Sequence, residues 1–425
     1  MQLLPGRGRE VGQMLIEDAR VQGVLFTGST ETARRLQTTL AQRLNAHGQP
    51  VPLIAETGGQ HGMVVDSSAL PEPVVQDAVA SAFEAAGQRC SALRVLCVQD
   101  DVADRLLAML QGAMAEIRMG TPAQLHTDMG PVIDARAREG IEAHVAQMQA
   151  AGRRVHRIRH ASSDAPAGTY VPPTLIEIER LDELQREVFG PVLHVLRWRR
   201  EALDALLAQI NTTGYALTLG VHSRIDETIA RVIEATHAGN TYVNRSMVGA
   251  VVGVQPFGGE GLSGTGPKAG GPLMALRLLA RGPDDAALRS LQGCGAAALP
   301  RVCAPLQALH DWAVAQGRLP LAHQCARLAA CSPAGLHAVL PGPVGEHNVY
   351  RVRARQRVWC QVGTQPGAQD DLLTQIAAVL AVGGQALLPE RFAALHVQLP
   401  AAVQAVVGLR SGHNALQADA VLIHA

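Results

Sequence analysis

Along the chain, short apolar runs alternate with longer stretches in which apolar residues recur every three or four positions. The run VQGVLF (21–26) predicts a buried strand. TGST follows as a tight turn, and Ala33, Leu36, Leu40 and Leu44 mark one face of a helix. VPLIAE and GMVVD predict two more strands, separated by TGGQH. From about Pro73 to Ala86, the spacing of Val74, Val75, Ala78, Val79, Ala82 and Phe83 predicts a helix that stops at Gly87 and delivers the chain to Cys90. LRVLCV is the next strand, and Val102, Leu106, Met109, Ala113 and Ile117 line the next helix. Strands and helices in this order predict an α/β fold with a largely parallel sheet.

The stretch VGVQPFGGEGLSGTGPKAGGP (252–272) interrupts this alternation with dense glycine. Phe257, Leu262 and the prolines restrict it, so it predicts a structured loop that brings backbone close to something rather than a plain linker. After roughly residue 281 a connector leads into a further α/β segment, with a helix through Leu372, Leu373, Ile376, Val379 and Leu380 and the strand-like runs QALLP and AVLIHA. A parallel strand is normally covered by a helix. AVLIHA ends the chain, and the stretch before ETGGQ is short for the double βαβαβ unit of a full dinucleotide fold. The expectation is a chain incomplete at both ends.

Composition narrows the partners. Lys+Arg and Asp+Glu balance at 37 each, which removes the electrostatic argument for nucleic acid or an anionic membrane. With 47% hydrophobic and 17% charged residues the chain belongs with packed globular proteins. No apolar run has the length of a membrane span, and MQLLPGRGREVGQ lacks the order of a signal peptide, so a soluble cytoplasmic protein is expected. The 7 cysteines form no CxxC pair and the 16 histidines no HExxH, so neither a disulfide framework nor a metal site is predicted.

Four features carry candidate chemistry. In FTGST, Gly28 and Ser29 sit between a strand and a helix start, where backbone N–H groups suit a phosphate and an ordinary N-cap is the alternative. In AETGGQ, Glu56 ends a buried strand before two glycines, where a part-desolvated carboxylate has the raised pKa of a general base and a surface-turn glutamate is the alternative. In GQRCS, Cys90 beside Arg89 reads as a stabilised thiolate or as a small buried residue, and Cys97 in the next strand as inert core. In REVFGPV, Glu187 stands before a Phe-Gly-Pro turn, fit to hold a ribose diol or to do no more than feed a strand.

The order FTGST, ETGGQ, GQRC, MGPVID, EVFGPV, GNTYVNR and PFGGEGLSGTG resembles the aldehyde dehydrogenase superfamily over about residues 1–280. VDSSALPE, GQRCSALRVLC, GYALTLGVHSRIDETI and LPGPVGEHNVY narrow the resemblance to L-glutamate γ-semialdehyde dehydrogenases of the bifunctional, proline-catabolising kind. The resemblance implies a partial Rossmann-type NAD-binding domain (1–65), a catalytic thiol domain (66–245), a substrate-anchoring segment (246–285), a linker (286–300) and an incomplete C-terminal domain related to the dehydrogenase fold (301–425). It implies Cys90 as nucleophile, its own N–H as an oxyanion donor, and Glu56 as the base for the hydrolytic water. Gly28 and Ser29 would hold the pyrophosphate of NAD, Glu187 the nicotinamide ribose, and Phe189 would lie beside the ring. Arg89, Ser91 and Ser263 would meet the polar end of a small aldehyde, and amides around Gly264 and Thr265 its carboxylate.

Two departures stand out. An upstream block with the family's oxyanion asparagine and adenosine-binding lysine does not occur in this chain, and His61 and Gly62 replace the usual Asn and Ala. No FAD is implied. The remaining partner expectations are a homo-oligomer or a proline dehydrogenase chain. A non-catalytic remnant acting as an assembly partner and a cofactor-independent thiol esterase stand as the other readings.

Overall fold

The computed structural model describes residues 2–46, 48–158, 168–279, 282–295, 303–411 and 418–424. Two compact units divide the chain: Met1–Val251 with Phe257–Ala269, and Val252–Pro256 with Gly270–Ala425.

The first unit contains β1 (Val24–Thr27), β2 (Leu53–Glu56), β3 (Gly62–Val65), β4 (Val95–Gln99), β5 (Val155–Arg157), β6 (Thr174–Ile178), β7 (Val192–Trp198), β8 (Tyr215–Ala216), β9 (Thr218–His222), β10 (Asn240–Val243) and β11 (Glu260–Gly261). Its helices are α1 (Gln13–Glu17), α2 (Thr30–Leu40), α3 (Pro71–Phe83), α4 (Asp100–Ala115), α5 (Ala135–Ala150), α6 (Leu203–Thr212) and α7 (Asp226–Ala235). Seven strands form one sheet in the order β10-β9-β3-β4-β7-β6-β5, and all neighbours run parallel except β5 and β6. β3 and β4 are buried at every position, because a parallel sheet covered on both faces has no wet side. Val64, Leu96, Val195, Phe83 and Leu110 belong to the core around it. β1 and β2 make a separate parallel pair, and β8 pairs antiparallel with β11.

Two helix ends differ from the pattern. Leu44 falls beyond α2, exposed and bridged to Pro50. α3 stops at Phe83, and Glu84–Gly87 forms a separate turn in which Ala85 (φ 52°), Ala86 (φ 55°) and Gly87 (φ 65°) are all left-handed.

The second unit has an antiparallel pair, β12 (His337–Leu340) with β13 (Asn348–Arg351), and a parallel sheet of β14 (Arg357–Val362), β15 (Gln385–Pro389), β16 (Val407–Arg410) and β17 (Ala420–His424) in the order β16-β15-β14-β17. Its helices are α8 (Ala286–Gly293), α9 (Ala304–Ala315), α10 (Leu319–Cys331), α11 (Ala368–Ala381), α12 (Ala393–Gln398) and α13 (Ala401–Gln404). The stretch expected as a bare linker, 286–300, therefore opens as a helix, and residues 296–300 lie outside the described residues. Leu373, Ile376, Leu388 and Cys360 sit in a separate core.

Candidate active site

The register of the large sheet brings the candidate residues together. Gly62 pairs with Val95 and Val95 with His194, so the segments entering β3, β4 and β7 lie side by side at one edge. Those segments carry Glu56–His61, Gly87–Arg94 and Glu187–Gly190. Glu56 is also the last residue of β2, so the site lies where the β1–β2 pair ends and the large sheet begins.

Glu56 is partly buried, and its Oε2 accepts the Gly259 N–H at 3.1 Å. Oε1 is buried with no hydrogen-bond partner among the described residues. Burial raises its pKa to about 7, against the opposing pull of the Gly259 amide and Lys268. The glycine-dense stretch packs on this carboxylate. A Cβ at Gly258 would stand 2.5 Å from Oε1, and one at Gly264 3.0 Å from Oε2.

Ser263, Gly264 and Thr265 lie in this stretch beside Glu56. The Thr265 N–H donates to the Ala55 carbonyl (2.9 Å) and the Thr57 N–H to the Ser263 carbonyl (2.9 Å), flanking an antiparallel bridge between Glu56 and Gly264. Ser263 is fully buried, and its Oγ donates to the Gly58 carbonyl (2.8 Å) and accepts the Ala216 N–H (3.0 Å). The Thr265 amide and the Ser263 hydroxyl are thus engaged by the backbone on either side of Glu56.

Cys90 is half-buried, and burial pushes its thiol above the ordinary value. The Glu187 and Glu56 carboxylates push the same way, opposed by the N–H groups of Cys90 and Ser91. Arg89 does not reverse this. It pairs with Glu84 at 3.3 Å with both side chains substantially exposed, so the expected thiolate-stabilising arginine is a surface ion pair. Ser91 is buried and its carbonyl accepts the Thr218 hydroxyl at 3.4 Å. Cys97 lies inside β4, where burial drives its thiol to about 12.

The arginine at the thiol is Arg94, which sequence reasoning missed. Its side chain is 2% exposed, and its guanidinium donates to the carbonyls of Gly87 (2.7 Å), Arg89 (3.2 Å) and Gly190 (3.2 Å) and to Glu187 Oε1 (3.0 and 3.3 Å). It also lies 5.1 Å from the ring centroid of Phe189. One signal was present: a cation directly ahead of the apolar run VLCV, where a charge needs partners. Glu187 packs partly buried on this guanidinium, and burial raises its pKa against the opposing effect of Arg94. Phe189 is 44% exposed.

The Gly28 N–H donates to the Glu56 carbonyl at 3.1 Å, so it is spent on the β1–β2 pair. Ser29 is the N-cap of α2, accepting the Thr32 N–H at 3.2 Å. Of the two readings of FTGST, the cap is present in the structure. His61 is fully buried, and burial, with Arg94 second, lowers its pKa to about 3, so the ring is neutral. The nearest atom to a Cβ at Gly62 would be at 3.6 Å, an ordinary contact, so nothing there demands glycine.

A half-buried thiol and a partly buried carboxylate of raised pKa at one sheet edge suit nucleophilic attack on a carbonyl followed by base-assisted hydrolysis. The profile of the aldehyde dehydrogenase family matches residues 1–278. The chain belongs to this family. This aldehyde dehydrogenase is 54% identical over 443 residues to the bifunctional protein PutA of Escherichia coli (strain K12), covering 100% of the chain and 33% of that protein. It is 37% identical over 283 residues to 1-pyrroline-5-carboxylate dehydrogenase of Bacillus cereus (strain AH187), covering 65% of the chain and 54% of that protein. A crystal structure of bifunctional proline utilization A matches with a TM-score of 0.61 and 52% identity over 64% of this chain and 27% of that one. The 1-pyrroline-5-carboxylate dehydrogenase from Thermus with bound NAD matches with a TM-score of 0.57 and 32% identity over 63% of this chain and 51% of that one. The chain spans about a third of the length of the PutA protein it matches. Among the described residues no helix is long and apolar enough to cross a membrane, and no cluster of His, Cys, Asp and Glu could hold a metal ion.

Proposed function

We propose that this aldehyde dehydrogenase oxidises L-glutamate γ-semialdehyde to L-glutamate with NAD, as part of proline catabolism. The observation that carries the reading is the pairing of Cys90 with Glu56 at the edge of the large sheet, and the likeness to 1-pyrroline-5-carboxylate dehydrogenases supports the substrate. Association with a proline dehydrogenase part or with a second copy belongs to the same proposal, supported by likeness to the bifunctional relatives.

The Cys90 thiol releases its proton to solvent water and the thiolate attacks the aldehyde carbon, giving a tetrahedral thiohemiacetal anion whose oxygen faces the Cys90 N–H. Loss of hydride from that carbon leaves a thioester on Cys90. Glu56 then takes a proton from water, the hydroxide adds to the thioester carbon, and the Cys90 sulfur departs with the release of glutamate.

The residues present fit a dinucleotide. The N-terminus of the 11-residue α2 follows β1 directly, and a helix start leaves its first N–H groups without intrahelical partners. The Glu187 carboxylate and the exposed Phe189 ring stand beside the thiol segment. When bound, the dinucleotide supplies the hydride acceptor. In a test with the purified chain, γ-semialdehyde and NAD, NADH formation is expected to be lost on Cys90→Ala and to fall ~10²-fold on Glu56→Gln, in line with loss of a general base. Undiminished turnover by Cys90→Ala would remove the thiol from the mechanism.

A further inference from the structure

Arg94 gathers more of the site than any residue assigned above. Its planar fork carries five N–H donors, and its contacts reach two separate segments. On one side are the carbonyls of Gly87 and Arg89, within the run leading into Cys90. On the other are Glu187 Oε1, the Gly190 carbonyl and the Phe189 ring. The backbone of Arg94 engages a third segment, since the N–H groups of Arg94 and Val95 both donate to the His61 carbonyl at 3.0 Å. The run it grips includes three successive left-handed residues, Ala85, Ala86 and Gly87, two of which carry a Cβ that disfavours that conformation. No room exists for a looser arrangement on the glycine side, because a Cβ on Gly87 would come within 2.3 Å of the Gly190 carbonyl oxygen.

We propose that Arg94 is the positioning residue of the thiol site, its buried guanidinium fixing the left-handed turn that presents Cys90 and holding Glu187 and Phe189 against that turn through the same fork. A lysine cannot replace it. The ammonium is a single point on a flexible stem and cannot reach three carbonyls and a carboxylate in one plane.

This rests on Cys90 being the nucleophile of the proposed reaction, yet it can be read without aldehyde or cofactor. The experiment is the rate of Cys90 alkylation by iodoacetamide in the full chain over a neutral-to-alkaline pH series, followed by peptide mass spectrometry, with Cys97 as the fold reporter. In Arg94→Lys with Cys97 still protected, the limiting rate at Cys90 is expected to change roughly tenfold or more, because that rate follows how the thiolate is exposed to the reagent. Adding Ala85→Gly and Ala86→Gly, which remove the two strained Cβ atoms, should return it towards the wild-type rate. A folded Arg94→Lys protein with the wild-type profile overturns the proposal. Should Arg94→Lys expose Cys97, Glu187→Gln decides instead: a Cys90 midpoint moved to lower pH supports a carboxylate held beside the thiol, and an unmoved midpoint overturns it. Failure of dehydrogenation with the expected alkylation pattern would count against the proposed function alone.

Discussion

At the scale of single residues, the site is defined by two groups that burial biases towards their protonated forms and that function must deprotonate. Glu56 has its pKa raised from 4.5 to about 7. A carboxyl whose folded pKa lies above its unfolded one favours folding while protonated, and that contribution is lost as pH rises from the unfolded value through about 7. Glu56→Gln, neutral at every pH and able to accept the Gly259 N–H through its carbonyl oxygen, should therefore match the wild-type melting temperature in acid. Its stability should exceed that of the wild type above neutrality, by on the order of 1–2 kcal/mol after discounting for the part-exposed position. Thermal melts of both proteins across pH check this, and a gap that shrinks with rising pH would contradict it. Glu56 was singled out in sequence because ETGGQ stands in the ordered run of motifs that carries the family resemblance; alone, a surface-turn glutamate was the alternative. Arg94 was not, since its partners Gly87, Arg89, Glu187 and Gly190 meet only once β4 and β7 are paired.

At the scale of elements, the turn at Glu84–Gly87 shows tertiary structure overriding local preference. Alanine is the best helix former, so the pattern carries α3 through Ala85 and Ala86, whereas both adopt left-handed geometry at a cost of ~1–2 kcal/mol each. Gly87→Ala should destabilise the chain by ~3 kcal/mol or more, because its Cβ would meet the Gly190 carbonyl at 2.3 Å and the Ala82 carbonyl at 2.8 Å in a left-handed conformation. Ala85→Gly should be close to neutral, the relief of strain offsetting the ~0.4–1 kcal/mol of added unfolded-state entropy. Denaturant unfolding of the two variants separates these outcomes. An Ala85→Gly loss of the full ~0.4–1 kcal/mol would mean that Ala85 stores no strain. Strands such as β3 and β4 were readable because burial on both faces leaves an unbroken apolar run. The glycine-dense stretch was readable as a structured loop but not as to what it approaches, because the Glu56 carboxylate it packs on lies some two hundred residues away. Helix α8 hid inside a glycine- and alanine-rich connector for the opposite reason: only Leu291 among its residues is buried, so almost no apolar stripe marks it.

At the scale of the whole molecule, the two units have separate cores, one around Val64, Leu96 and Val195 and the other around Leu373, Ile376 and Leu388. The chemistry proposed for Cys90, Glu56, Arg94 and Glu187 draws only on the first. A truncation of one large side chain in either core leaves a cavity worth ~2–5 kcal/mol. The consequences of that loss should stay within the cooperative unit that contains it. Leu373→Ala, at a fully buried position of α11, should accelerate amide exchange in β14, β15 and β16 and leave β3, β4 and the Cys90 alkylation rate as they are. Leu96→Ala, equally buried in β4, should do the reverse and raise Cys90 and Cys97 labelling together. Hydrogen exchange read by mass spectrometry on the two variants distinguishes this from a single cooperative unit. In that case either substitution would loosen both sheets, and the thiol site would depend for its geometry on a core that supplies none of its residues.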